Sequence, residues 1–199
     1  MTGTSVQIHF IKSTSNLIPN HSLEKLLYQN MQLFPAPRAD EKDLAYAAEL
    51  SKTLDGSFVS LSELFPRAKN TQDTTYLKTH ANELIHDSLL PYLPFDTAQS
   101  YSTDVGDVSW ICPTAQIAAT TWIANSMEHT WQVTTQGKTP LAHKGALYAS
   151  QILAASAVDL FTKPEILTAA KAEHIAALNG KTYTSPLPRD ADYRYQLQI

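Results

Sequence analysis

The chain has a single cysteine, Cys112, in 199 residues, so no disulfide can form within it. A small secreted domain usually carries such staples. The N-terminus also lacks the basic and apolar regions of a signal peptide, and the expectation is a cytoplasmic protein. Cys112 lies between Ile111 and Pro113. That apolar context predicts a buried small side chain, since a reactive thiol needs an electropositive partner. Charge is scarce as well. Asp, Glu, Lys and Arg make up 17% of the chain, against a usual quarter or so. Either the chain buries surface against further sequence or a partner, or Ser, Thr and Gln solvate it. No basic run occurs, and a net charge of -4 argues against a nucleic-acid surface. No apolar run reaches the ~18 residues of a membrane span. There is no internal repeat and no low-complexity tract. What is present is enough apolar sequence, 43%, for one core.

Val6, Ile8 and Phe10 alternate with polar residues and predict a half-buried strand. Leu23, Leu26, Leu27 and Met31 share a helical face, with Asn20 or Ser22 as N-cap. Phe34-Pro35-Ala36-Pro37 ends that helix. Asp40 opens a second, with Leu44, Ala47, Ala48 and Leu54 on its stripe and Asp55-Gly56 as its stop. Residues 57–75 read as loop with a short turn at Leu61–Phe65. A helix is expected over Tyr76–Leu90. The β-branched run 115–123 predicts a buried strand, and Trp131–Thr135 a second. Pro140 starts a long helix to about Phe161, whose small residues permit close packing on a sheet. Thr162-Lys163-Pro164-Glu165 reads as a capping box for a last helix, which Asn179-Gly180 stops. The tail from Lys181 is loop-like.

Four stretches carry candidate chemistry. Ser102-Thr103-Asp104-Val105-Gly106-Asp107-Val108-Ser109-Trp110 sets two carboxylates three apart in a polar loop. Such a loop orients carboxylates, and it equally fits an Asx-type turn. His129-Thr130-Trp131-Gln132 puts an imidazole beside an indole; imidazole is a common metal ligand and general base. Ala142-His143-Lys144-Gly145 lies near a helix start, where an anion could bind, although Gly145 also suits close helix packing. The fourth is Tyr183-Thr184-Ser185-Pro186-Leu187-Pro188. His80, Glu83, His86 and Asp87 form H-x-x-E-x-x-H. The zinc protease pattern is H-E-x-x-H, with both histidines on one helical face, so a solvated helix face is the expectation there.

In this order the four stretches resemble the C-terminal half of the p-aminobenzoyl-glutamate hydrolase type amidohydrolases, of the zinc aminoacylase/carboxypeptidase family of metallopeptidases. The resemblance runs from Met1 to about Pro188. It implies an α/β fold: the C-terminal part of a metallopeptidase catalytic domain, helices on a mixed sheet, with a leftover lid-domain strand. Residues 1–14 would be the last strand of the lid or dimerisation domain, and residues 15–199 the C-terminal half of the catalytic domain. The implied activity is metal-dependent hydrolysis of the amide of N-acyl or N-aryl amino acids. Zinc or manganese would serve the parent family, with none expected on this chain alone. His129 matches the family's last metal ligand, and Asp104 and Asp107 would shape the substrate pocket. The remaining ligands and the catalytic glutamate would lie upstream of Met1. The expected partners are a small-molecule amide substrate and other copies in a homo-oligomer, with no nucleic acid and no membrane. The alternative is a non-catalytic fragment or interaction module lacking the full metal site.

Overall fold

A computed structural model describes residues 2–6, 10, 12–54, 59–66, 68, 70–94 and 103–189. Along the described residues run α1 (His21–Leu33), α2 (Glu41–Ser51), α3 (Leu61–Leu64), α4 (Thr71–Thr79), α5 (Val105–Ser109), α6 (Trp131–Gln136), α7 (Pro140–Thr162) and α8 (Pro164–Leu178). No strand occurs among the described residues. This corrects the expected α/β architecture: among the described residues, helices pack on one another and on loops, not on a mixed sheet.

Where the caps are strong, the helices form as their sequences dictate. The Asn20 side chain accepts from the Leu23 N–H at 3.1 Å, closing the first turn of α1. Asp40 and Asp43 form a reciprocal capping box at α2, satisfying two otherwise orphaned amides. The buried stripe of α2 is Asp43, Ala47 and Leu50. Leu44 and Ala48 face outward instead, because the ion pair that Asp43 makes with Lys144 turns that carboxylate inward. Pro140 sits in the first turn of α7, and the Thr139 side chain caps it. Asn179 (φ 47°) and Gly180 (φ 74°) end α8 in the left-handed region, which these residues tolerate. The expected capping box before α8 does not form: Thr162 is the last residue of α7, and Lys163 provides no side-chain cap.

Other expectations are corrected. The helix expected over Tyr76–Leu90 is α4, which ends at Thr79 with His80 as its C-cap. Asn70 starts it earlier, its side chain accepting from the Asp73 N–H. Trp131–Thr135 is not a strand but α6, and its buried residues are Gln132 and Gln136. Residues 115–123 form neither helix nor strand, with a bend at Trp122. Their alternation is real, since Ala115, Ile117 and Ala119 pack inward. Of the expected N-terminal strand, Gln7, Ile8 and His9 lie outside the described residues. Val6 and Phe10 are in no strand, and Val6 is 86% exposed. The stop at Asp55-Gly56 also lies outside the described residues.

The core has two parts. Leu27 of α1 and Tyr148 and Ile152 of α7 hold the inward residues of segment 115–119. Ala47 and Leu50 of α2 meet Ile85, Ile123 and Leu141. α7 contributes to both, and α1 and α8 pack against it and each other.

Polar groups lock α8 onto the start of α1. The buried Asn20 Nδ2 donates to the Ala170 carbonyl at 2.9 Å. The Glu173 carboxylate accepts from the His21 N–H (2.6 Å), the Ser22 N–H (2.9 Å) and the Ser22 hydroxyl (2.6 Å). Those amides belong to the first turn of α1, where negative charge is favoured. Burial pushes the Glu173 pKa up, but the hydrogen bonds from Ser22 and His21 outweigh it and hold the carboxyl below its usual range. A carboxyl so depressed stabilises the folded chain above its unfolded pKa, and that share is lost as pH falls through the folded value. The thermal midpoint of Glu173→Gln should therefore lie below that of the unmodified chain at pH 7. The gap should close as pH drops below about 4.3, the ordinary glutamate value. A gap that widens on acidification would show that Glu173 does not bind α1 as a carboxylate.

Candidate functional site

The loop with the two carboxylates folds into α5 and works as a fastener. Asp107 Oδ1 accepts from the Ser15 N–H at 3.1 Å. Ser109 Oγ accepts from the Ile18 N–H at 2.8 Å and donates to the Gly106 carbonyl at 2.6 Å. Trp110 Nε1 donates to the Asn16 carbonyl at 3.0 Å. A Cβ on Gly106 would strike the Ser15 carbonyl oxygen, so only glycine permits this approach. His174 Nε2 ties the Ser109 carbonyl to α8 at 2.8 Å. The hydrogen bonds of Ser15, with smaller help from Tyr183 and Lys12, hold the Asp107 carboxyl below its usual range. Asp104 is the exposed first residue of this turn and pairs with Lys12 at 2.7 Å. Together with Ser13, Thr14 and Thr103 it lines a polar hollow of about 420 Å³. Cys112 follows α5 and is exposed, not buried as expected. Its neighbour Ile111 is 68% exposed, so the apolar context in sequence is not a core in space.

A larger groove, about 940 Å³, lies along segment 117–126. Leu61, Phe65, His86, Leu89, Trp122 and Tyr148 contribute to its walls. Its far wall joins segment 84–88 to segment 120–124: the Ala124 N–H donates to the Leu84 carbonyl at 2.7 Å, and Thr120 Oγ1 donates to the His86 carbonyl. Two buried polar atoms of its lining residues, His86 Nδ1 and Tyr148 OH, have no hydrogen-bond partner among the described residues. Desolvation lowers the His86 pKa, which favours the neutral ring.

His129 stands beside this groove, next to the lining residue Glu128. It is exposed, with φ 64°, and the same loop holds Asn125 at φ 63°. A left-handed histidine is uncommon, and such residues persist only where their surroundings fix them. Here Asn125 brackets Val59, accepting from its N–H at 2.7 Å and donating to its carbonyl at 3.3 Å. Gln136 Oε1 accepts from the Ile123 N–H at 2.8 Å, and Gln136 Nε2 donates to Ser126 Oγ at 3.0 Å. Sequence patterning misses these residues because the buried face of α6 is amide, not apolar. The signal available was Asn125 itself, a residue that tolerates the left-handed turn.

The remaining candidates have structural partners. Lys144 reaches Asp40 at 2.8 Å and Asp43 at 2.6 Å, so its ammonium docks α7 on α2. These carboxylates raise the Lys144 pKa, and Lys144 in turn holds that of Asp40 down. Gly145 abuts Thr120 and Thr121, the close-packing role. His80 Nδ1 and Glu83 Oε1 pair at 2.7 Å. Asp87 accepts from Arg38 Nη1 and the Ala39 N–H, both at 2.8 Å. Because α4 ends at Thr79, these four do not share a helix face.

The kinship follows from comparison with known proteins. The chain is similar to a p-aminobenzoyl-glutamate hydrolase subunit of Escherichia coli (strain K12). The two are 33% identical over 192 residues, 96% of this chain and 40% of the relative. The resemblance read from the four motifs is borne out by this match, and the chain spans about two-fifths of that relative's length. No family model matches the chain, and no solved structure matches it.

Against this kinship the described residues do not make up a metal site. No three His, Cys, Asp or Glu residues among them group closely enough to hold an ion. His129 stands alone, and neither Asp104 nor Asp107 lines the groove beside it. A zinc site needs three or four such donors. No helix among the described residues is long and apolar enough to cross a membrane.

Proposed function

We propose that this chain forms part of a protein that hydrolyses the amide of N-acyl or N-aryl amino acids, p-aminobenzoyl-glutamate among them, in the cytoplasm. What supports the reading is the likeness to the E. coli hydrolase subunit over nearly the whole of this chain. The zinc or manganese that the motifs imply does not fit the described residues by themselves, so no hydrolytic step is assigned to them. Their share is positional. Asn125 and Gln136 fix the left-handed loop that carries His129 outward. Asp107, Ser109 and Trp110 fix residues 15–18. A second reading, a non-catalytic interaction module, is favoured by the hydrogen bonds of Asp107, which are spent on Ser15 and not on an open pocket.

The two readings separate in a hybrid that carries this chain in place of the matched stretch of the E. coli relative. His129→Ala in that hybrid should lower hydrolysis of p-aminobenzoyl-glutamate by more than the roughly 100-fold typical of losing an outer-shell partner. Compared without metal, the two hybrids should share one thermal midpoint, because the His129 side chain is exposed. Equal rates with and without His129 would remove the metal-ligand role and favour the interaction module.

A further inference from the structure

Asn125 (φ 63°) and Asn179 (φ 47°) both adopt the left-handed backbone, but their surroundings differ. The Asn125 side chain is held at both ends, accepting from the Val59 N–H at 2.7 Å and donating to the Val59 carbonyl at 3.3 Å. The amide after it is occupied too, since the Ser126 N–H donates to the Ile123 carbonyl at 3.3 Å. Asn179 is the exposed C-cap of α8. Neither its side chain nor the following Gly180 N–H has a hydrogen-bond partner among the described residues. A Cβ built on Gly180 would meet nothing within 4 Å.

An asparagine side-chain amide is an electrophile, and the next backbone nitrogen is a nucleophile one ring closure away. A bonded side chain, a bonded amide and a bulky next residue keep the two apart. Asn125 has the first two protections and a serine after it. Asn179 has neither bond, and glycine follows. Its backbone (φ 47°, ψ 47°) must rotate before the ring can close. Two backbone hydrogen bonds resist that rotation, from the Asn179 N–H to the Ala176 carbonyl at 3.1 Å and from the Lys181 N–H to the Leu178 carbonyl at 2.9 Å. Both lie at an exposed helix end, where the last turn frays and opens locally.

We infer that Asn179 is a site of spontaneous covalent modification, in which the Gly180 nitrogen closes on the Asn179 side chain and expels ammonia. The bond from Gly180 N to Asn179 Cγ forms, the Cγ–Nδ2 bond breaks, and the Gly180 amide proton departs with Nδ2 as ammonia. A five-membered cyclic imide results. Water then adds to one of its two carbonyl carbons, the ring nitrogen takes a proton from that water, and the new carboxyl ionises. Opening at Cγ leaves an ordinary aspartate. Opening at the backbone carbonyl carbon leaves an isoaspartyl link, with the main chain running through Cβ and Cγ. Either carboxylate stands at the C-terminal end of α8, where negative charge is unfavourable. The isoaspartyl link also adds a methylene to the backbone before the tail, whose Tyr183 side chain hydrogen-bonds Asp107.

Incubating the 199-residue chain in mildly alkaline buffer, folded and in denaturant, tests the inference, with both asparagines followed by peptide mass spectrometry. In denaturant, sequence alone sets the ratio of Asn179 to Asn125 conversion. In the folded chain that ratio should rise at least about 10-fold, because three hydrogen bonds must open at Asn125 before it reacts. Converted Asn179 should be a mixture of aspartyl and isoaspartyl forms. Asn179→Gly keeps a residue suited to the left-handed cap. It should abolish the mass gain in peptide 172–181, which contains no other asparagine. A folded-state ratio no higher than that in denaturant would overturn the inference. So would a product that is aspartate alone, which marks direct hydrolysis without ring closure, or a mass gain that survives in Asn179→Gly.

Discussion

Gly145→Ala is expected to destabilise the chain by about 2–3 kcal/mol, the upper part of the usual range of about 1–3 kcal/mol for overpacking a tight contact. Helix propensity alone predicts the opposite sign, a gain of up to about 1 kcal/mol for alanine inside α7. The steric term wins because of what the new methyl would meet. A Cβ there would collide with the Thr120 carbonyl oxygen, and would stand 2.8 Å from Thr121 Cγ2 and 2.9 Å from the Thr120 carbonyl carbon. Two of these three atoms are backbone and cannot swing away. Segment 115–122 would have to lift off α7, and Ile123, fully buried in the second part of the core, would be dragged with it. Thermal unfolding should show a midpoint lower by roughly 5–10 °C for a chain of this length. A raised midpoint would mean that propensity prevails and that segment 115–123 does not lie against α7 as described.

The second large effect belongs to Asn20, which is 1% exposed. Asn20→Ala removes the acceptor for the Leu23 N–H and the donor to the Ala170 carbonyl together. Loss of an N-cap costs about 1 kcal/mol, and an unsatisfied buried acceptor costs about 1–3 kcal/mol more. The expected total is about 2–4 kcal/mol in chemical denaturation. Asn20→Asp discriminates the two contributions. It keeps the cap but offers no donor to Ala170, so it should recover only the cap's share. If Asn20→Asp matches the unmodified chain, the link to α8 contributes nothing and only the cap matters.

How much of this fold could be read beforehand follows from where the burial is polar. α1, α2 and α7 announce themselves through Asn20, Asp40 and Pro140, because capping chemistry is local and written in adjacent residues. The same holds for the stop at Asn179-Gly180. α6 is hidden because Gln132 and Gln136 fill its inner face, and apolar periodicity cannot register buried amides. Segment 115–123 shows true two-residue alternation, yet a strand needs a partner, and none is present among the described residues. That is why a sound local reading leads to the wrong fold class. Asp104 and Asp107 are legible as a loop of linked carboxylates. Sequence spacing does not tell that Asp107 turns to Ser15, 92 positions away, or that Asp104 faces Lys12. His129 stands out only through its resemblance to a family ligand. The bonds that Asn125 and Gln136 make in the loop before it join positions distant in sequence and are visible only in three dimensions.

The most direct measurement is release of glutamate from p-aminobenzoyl-glutamate, followed for the 199-residue chain and for the hybrid with the E. coli relative, each first shown to unfold cooperatively. The chain alone should match the blank, since its described residues provide no grouped set of metal-binding side chains, and the hybrid should turn over substrate well above it. A cooperatively folded hybrid that stays at the blank, or a lone chain that hydrolyses the substrate, would contradict the claim that this chain is one part of an amide hydrolase.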